Sequence, residues 1–237
     1  MRLFAIGDLH MDGGDNKPMD VFGPHWDRHF LRISENWRRL ISPEDVVLIP
    51  GDISWAMQLE NAIPDLLAIG ELPGKKILCK GNHEYWWNSI SRVRQALPES
   101  MAALQHDAID VGPCVICGTR GWTFPTERTV PDEDDERICR REVKRLNLAL
   151  DEAERIAPDK PIVVMLHFPP LLISDQITVF TDALEARSHV STVVYGHLHG
   201  ASLANAFSGE KSGIRYEPVS CDGLNFCPKE IPWPQLS

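Results

Sequence analysis

No apolar run in this 237-residue sequence approaches bilayer-spanning length; the longest, such as Ile162–Leu166, are of strand length. The N-terminus offers one basic residue, Arg2, and four apolar residues before Gly7 and Asp8. It lacks the apolar stretch and small-residue cleavage site of a secretory signal, so a cytoplasmic location is expected. Basic residues are in deficit: 24 Lys and Arg stand against 34 Asp and Glu, a formal charge of −10. That balance argues against bulk binding to nucleic acid or to an anionic membrane, which needs many phosphates neutralised. There is no internal repeat, and no low-complexity stretch beyond an acidic run at 132–136. With 43% hydrophobic and 24% charged residues, the composition is that of a globular protein. The length suits one domain over 1–237, large enough to bury an active site.

Cysteine is present but points to no site. Cys114 and Cys117 have the two-residue gap of redox and zinc sites, yet Val115 and Ile116 between them read as a buried strand. Without an export signal, all six thiols are expected reduced, and buried thiols are the favoured reading. Helices are expected at about 28–40, 57–69 and 89–97. Another follows the acidic run, with Val143, Leu146, Leu150, Ala153 and Ile156 on one face and Pro158 as its stop. Acids at its start complement the helix dipole.

Nine histidines remain, and five of them fall in one pattern. Residues 3–6 lead to Gly7-Asp8-Leu9-His10. Residues 46–49 lead to Pro50-Gly51-Asp52. Residues 77–79 lead, through Lys80, to Gly81-Asn82-His83-Glu84. Ile162–Leu166 leads to His167. Residues 192–195 lead to Gly196-His197-Leu198-His199. Each apolar run ends at a residue able to bind metal, and glycine directly precedes it in four of the five. Continuous apolar runs suit strands covered on both faces. In open α/β sheets ligands sit beyond the carboxyl ends of the strands, so five strands ending side by side would gather these groups. Glycine permits a sharp turn and a close approach there. The segment from 11 to 26, rich in Gly, Asp and Pro, reads as a loop near the same edge.

The gathered groups are Asp8, His10, Asp52, Asn82, His83, His167, His197 and His199. They are too many for one tetrahedral zinc and about right for two divalent ions sharing a carboxylate. Oxygen and nitrogen donors without thiolate suit Mn²⁺, Fe²⁺/Fe³⁺, Zn²⁺ or Co²⁺. Two such ions clamp both ends of an in-line displacement, and phosphate-ester hydrolysis is the natural reaction.

The five motifs, in order over about residues 3–200, resemble those of the calcineurin-like metallophosphoesterase superfamily. The resemblance implies an α/β fold: a four-layer sandwich of two mixed β-sheets flanked by helices. It implies Asp8, His10 and His199 on one metal, Asn82, His167 and His197 on the other, and Asp52 bridging both. A metal-bridging hydroxide would attack phosphorus. His83 would either give a proton to the leaving group or steady the phosphoryl charge. Glu84 is expected to support its loop.

The protein serine/threonine phosphatases carry an Asp-Arg-Gly element after Gly-Asp, whose arginine grips phosphate. Here the chain reads Ile53-Ser54-Trp55-Ala56-Met57. Arg120 is a candidate replacement, against a plain surface salt bridge. Trp55, Tyr85, Trp86, Trp87 and Trp122 could wall a leaving group or stack on a base, although core packing is commoner. His25 lies in the loop near the site; His29, His106 and His189 match no motif. The expected partner is a small phosphorylated substrate, with no membrane or bulk nucleic-acid binding. The alternative is a non-catalytic metal-binding scaffold on the same fold, which would be expected to have lost ligands; this chain keeps them. The 227–237 tail could pack on the domain or on a partner.

Overall fold

The computed structural model describes residues 1–14, 19–126 and 131–233. In chain order its strands and α-helices are β1 (Leu3–Ala5), α1 (His29–Leu40), β2 (Val46–Pro50), α2 (Leu59–Gly70), β3 (Lys75–Cys79), α3 (Ile90–Ala96), β4 (Met101–Leu104), β5 (Ala108–Asp110), β6 (Val115–Thr119), α4 (Glu133–Ile156), β7 (Ile162–Leu166), α5 (Val179–Glu185), β8 (Val190–Tyr195), β9 (Gly209–Lys211), β10 (Ile214–Pro218) and β11 (Lys229–Ile231). They form a five-stranded sheet, β11-β1-β2-β3-β4, and a six-stranded sheet, β5-β6-β7-β8-β10-β9. Both are mixed. Antiparallel β11 edges the first, and antiparallel β5 and β9 edge the second.

Side-chain alternation along the strands produces the layers. Leu3 and Ala5 of β1 face inward, with Leu48 of β2, to meet Ile116, Val163 and Val194 of the other sheet. Phe4 faces outward with Val47 and Ile49, against Ile33 and Trp37 of α1 and Leu66 of α2. Val164 and Val193 on the far sheet face outward against Leu146 and Leu150 of α4 and Phe180 of α5. Every residue of β2, β6 and β7 is buried, which explains the unbroken apolar runs. Burying each such aliphatic side chain contributes about 1.5–3 kcal/mol. The four-layer α/β sandwich is therefore present.

The five motif-bearing strands do not end side by side in one sheet. β1, β2 and β3 belong to the first sheet, and β7 and β8 to the second. The sheets are sewn together at the site: the Gly7 N–H donates to the Val219 carbonyl just after β10 (2.7 Å), and the Cys221 N–H donates to the Gly7 carbonyl (3.1 Å).

The helices fall close to expectation. α2 starts two residues later than its pattern, because Gln58 is extended. α4 begins with Asp132 accepting from the Asp135 N–H, so the acidic run is a helix entry. α5 had no apolar signature; a Thr178–Thr181 capping box starts it. The 11–26 segment is a loop carrying two short 3-10 turns, Met19–Phe22 and Pro24–Trp26, among its described residues. The tail pairs as β11 with β1, and Trp233 Nε1 donates to the Met1 carbonyl (3.2 Å). Residues 234–237 of it lie outside the described residues. Among the described residues no helix is long and apolar enough to cross a membrane. Five cysteines are buried and all six are free. Burial pushes the Cys114 thiol up to about 12.

Candidate metal centre

The loops after β1 and β2 are stitched together by backbone. The Asp8 N–H donates to the Gly51 carbonyl (3.0 Å) and the His10 N–H to the Asp52 carbonyl (2.9 Å). The ligand candidates themselves take the left-handed turns: φ is 60° at Asp8, 44° at His10, 51° at Asp52 and 74° at His197. Such conformations are strained for side-chain-bearing residues and persist where surroundings over-determine them. Glycine's main service here is close approach. A Cβ at Gly81 would sit 2.2 Å from Asp52 Oδ1, and one at Gly196 would sit 2.4 Å from Asp8 Oδ2.

Two groups of side chains result. Asp8, His10 and His199 bring one donor atom each within 4.8 Å of the others; Asp52, His167 and His197 do the same. Asn82 Oδ1 lies 2.6 Å from His167 Nε2 and 3.0 Å from His197 Nδ1. Asp52 Oδ2 is 3.4 Å from His167 Nε2 and 3.8 Å from His10 Nε2, so it faces both groups. His10 Nε2 and His199 Nε2 are 3.3 Å apart. Asp8, Asp52 and His167 are essentially sealed from solvent.

Burial and the mutual charges of its members set the electrostatics of the cluster. Burial and the negative charge of Asp8 push the Asp52 carboxyl up to about 8. Burial would raise Asp8 too, but hydrogen bonding to His199 and the charges of His199, His167 and His10 hold it below the carboxylate range. Burial and the charge of His167 draw His197 down to about 3. Burial opposes protonation of His199 as well, yet Asp222 and Asp8 lift it to about 10. Divalent cations suit this set: they would offset the repulsion between two buried carboxylates, and they would compete with protons for the imidazoles. The donors are oxygen and nitrogen only, as Mn²⁺, Fe, Zn²⁺ or Co²⁺ accept.

Two supporting carboxylates matter. Glu84, fully buried, accepts N–H bonds from Gly81 (2.5 Å), Ile53 (2.6 Å) and Asp52 (3.0 Å), locking two ligand loops together. Burial and Asp52 push it up to about 7. Asp222 accepts from His199 Nδ1 (2.9 Å) and from the Gly200 N–H (2.9 Å). Sequence reasoning missed Asp222, which lies beyond the motifs, on the Val219–Asp222 segment that Gly7 sews to β1. His167 Nδ1 faces the Pro50 carbonyl (3.1 Å).

His83 sits at the rim. Its N–H donates to Asp52 Oδ1 (3.0 Å), its Nε2 is 4.0 Å from Asp52 Oδ2, and its side chain is 31% exposed. It borders a cavity of about 300 Å³ lined by Met19, Phe22, His25, Trp26, Trp55 and His83, with His10 and His199 at its floor. Trp55 stacks on His10 (4.9 Å between ring centroids) and leans on His83 (4.3 Å). Trp26, not anticipated, is buried edge-on to His10 and tilted to His199. Tyr85 is half exposed, its ring 6.4 Å from that of His83. Arg120 lines a different cavity: its guanidinium lies 3.8 Å from Glu142 and over the Trp122 ring. Trp86 and Trp87 are core residues.

No curated protein matches the chain. Among solved structures, a phosphopantetheinyl hydrolase from Mycobacterium tuberculosis shares the fold at 16% identity, with 98% of this chain and 95% of that one covered and a TM-score of 0.59. A protein of unknown function from Aquifex aeolicus aligns at 15% identity over 97% and 95% of the two chains, with a TM-score of 0.49. The family model for calcineurin-like phosphoesterases matches residues 1–201. With that match spanning all five motifs, the chain belongs to the calcineurin-like phosphoesterase family.

Proposed function

We propose that this protein is a metal-dependent phosphohydrolase that cleaves a small phosphate ester at a dinuclear centre. The observation that carries this reading is the adjacency of two complete ligand groups, with Asp52 facing both and Asn82 against the second. Two divalent ions, when bound, would supply charge to stabilise the phosphoryl oxygens and to activate water.

The chain's own residues prepare that chemistry. His167 engages the Pro50 carbonyl through Nδ1 and so presents Nε2 inward. His199 does the same against Asp222. Such outer contacts set the tautomer and aim of a ligand ring. Asp52 would bridge, with Asp8, His10 and His199 on one side and Asn82, His167 and His197 on the other. His83, pinned to Asp52 by its backbone N–H, holds a partly exposed imidazole over the cavity. There it would donate a proton to the leaving oxygen, or a hydrogen bond to the phosphoryl group. Met19, Phe22, Trp26 and Trp55 make much of the cavity wall apolar, which supports an apolar group beyond the phosphate of a small substrate.

The test is a substrate panel with added Mn²⁺: an aryl monoester, a diester, cyclic nucleotides and a phosphopeptide. Hydrolysis of small esters, abolished by a chelator, supports the reading. A fully metal-loaded protein inert toward every member would leave it a scaffold.

A further inference from the structure

A second cavity, of about 230 Å³, opens where β3 and β6 end, and its wall is polar. Lys80, Arg120, Arg141 and Arg145 line it, with Glu142 and Gln105. Glu142 is fully buried. It accepts from the Thr119 hydroxyl (2.7 Å) and from Arg145 (2.6 Å), and lies 3.7 Å from Arg141 and 3.8 Å from Arg120. The Lys80 ammonium donates to the Trp87 carbonyl (2.8 Å). Among the described residues, Glu142 is the sole carboxylate ion-paired with any of these four cations. The wall thus carries four positive groups against one negative in a protein of formal charge −10.

The excess has an electrostatic consequence within the wall. Four cations held around one saturated carboxylate repel one another, and an anion between them would relieve that repulsion.

We propose that this cavity is an anion site, separate from the metal centre, that takes a phosphate-like oxyanion. Guanidinium forks match the edges of a tetrahedral oxyanion, and three converge here with one ammonium. The site adjoins the ligand loops from behind. Lys80 lies two residues before Asn82, and the Arg120 carbonyl accepts the N–H of His167 (3.0 Å) and of Phe168 (2.9 Å). An occupant would brace the backbone segments that carry Asn82 and His167.

Equilibrium dialysis of radiolabelled inorganic phosphate against Mn²⁺-loaded protein tests this. Two classes of site are expected. In Arg141→Gln/Arg145→Gln one class weakens at least about tenfold and the other stays. Both side chains reach solvent, so the fold should survive; an unchanged melting temperature and metal content verify that. Arg141→Lys/Arg145→Lys should bind with intermediate affinity, because the charge is kept and the fork lost. Competition with an alkyl phosphonate separates two sources of the oxyanion. Displacement below the phosphate concentration itself identifies a phosphorylated ligand, and weaker displacement identifies free phosphate. A single class of site, or identical binding by wild type and Arg141→Gln/Arg145→Gln, overturns the proposal.

Discussion

Asp222 and His199 are joined by a 2.9 Å contact between Oδ1 and Nδ1, across 23 residues of chain. The other Asp222 oxygen holds the Gly200 N–H, so one carboxylate orients both the ring and its loop. Outer contacts of this kind typically sustain metal affinity by about 10–100-fold. Asp222→Asn should weaken metal binding by that order at the Asp8/His10/His199 group, and excess Mn²⁺ should restore activity. Metal content after dialysis, set beside rate against added Mn²⁺, checks it.

Asp52 and His83 should separate cleanly. Asp52→Asn removes the carboxylate that faces both groups, so metal content and rate should fall together. His83→Ala leaves the ligand set in place and should lower the rate by about 10²–10⁴ with nearly full metal content. Full activity in Asp52→Asn would sink the dinuclear assignment.

Chelation should also lower thermal stability. A ligand that binds only the folded state adds about 2.7 kcal/mol at 100 times its Kd. The buried, mutually repelling Asp8 and Asp52 lose that compensation when metal leaves. Calorimetry with and without chelator should show a lower melting temperature, recovered on adding Mn²⁺. No shift at all would mean that these residues hold no ion.

Gly196→Ala should damage the site more than the fold. Its Cβ would lie 2.4 Å from Asp8 Oδ2 and 3.1 Å from Oδ1, so the carboxylate would have to shift. Forcing in a methyl costs about 1–3 kcal/mol. Far-ultraviolet circular dichroism should be retained while metal content drops.

Asp45 gives a pH prediction remote from the metal. Its side chain is 1% exposed and accepts the N–H groups of Arg2 (2.6 Å) and Ser42 (2.9 Å) and the Arg2 guanidinium (2.9 Å). Burial would raise its pKa, but these donors hold it below the ordinary 3.8. A carboxyl lowered on folding stabilises above its unfolded pKa, and the gain disappears as pH falls through the folded value. Asp45→Asn should therefore cost about 2 kcal/mol at pH 7. The gap between wild type and variant should narrow toward pH 2 in urea titrations.

Much of the site was legible because its chemistry is local. Each ligand candidate lies within a few residues of the end of an apolar run, and strand ends are visible as apolar runs that stop. α1, α2 and α4 were legible for the same kind of reason, since a buried face repeats every turn. Asp222 was not, because its partner is 23 residues away and no local pattern marks an aspartate that orients a ring. Trp26 was read only as part of a loop, since nothing in Pro24-His25-Trp26 says that the indole turns in toward His10 and His199. For Arg120 the sequence leaves a phosphate contact and a salt bridge both open, and packing sets its guanidinium 3.8 Å from Glu142 on α4.

The order of the motifs, their donor chemistry and the apolar character of the strands they follow are properties of the sequence alone. They suffice for the family and for a candidate metal site of oxygen and nitrogen donors. How the groups meet is a matter of tertiary structure. Three motif strands lie in one sheet and two in the other, and hydrogen bonds from Gly7 to the segment after β10 bring the two edges together. The nine histidines were a composition until that packing aimed five of them at two buried carboxylates. The reason is physical: apolar periodicity is written locally, whereas distances between side chains on different sheets are set by the packed core between them.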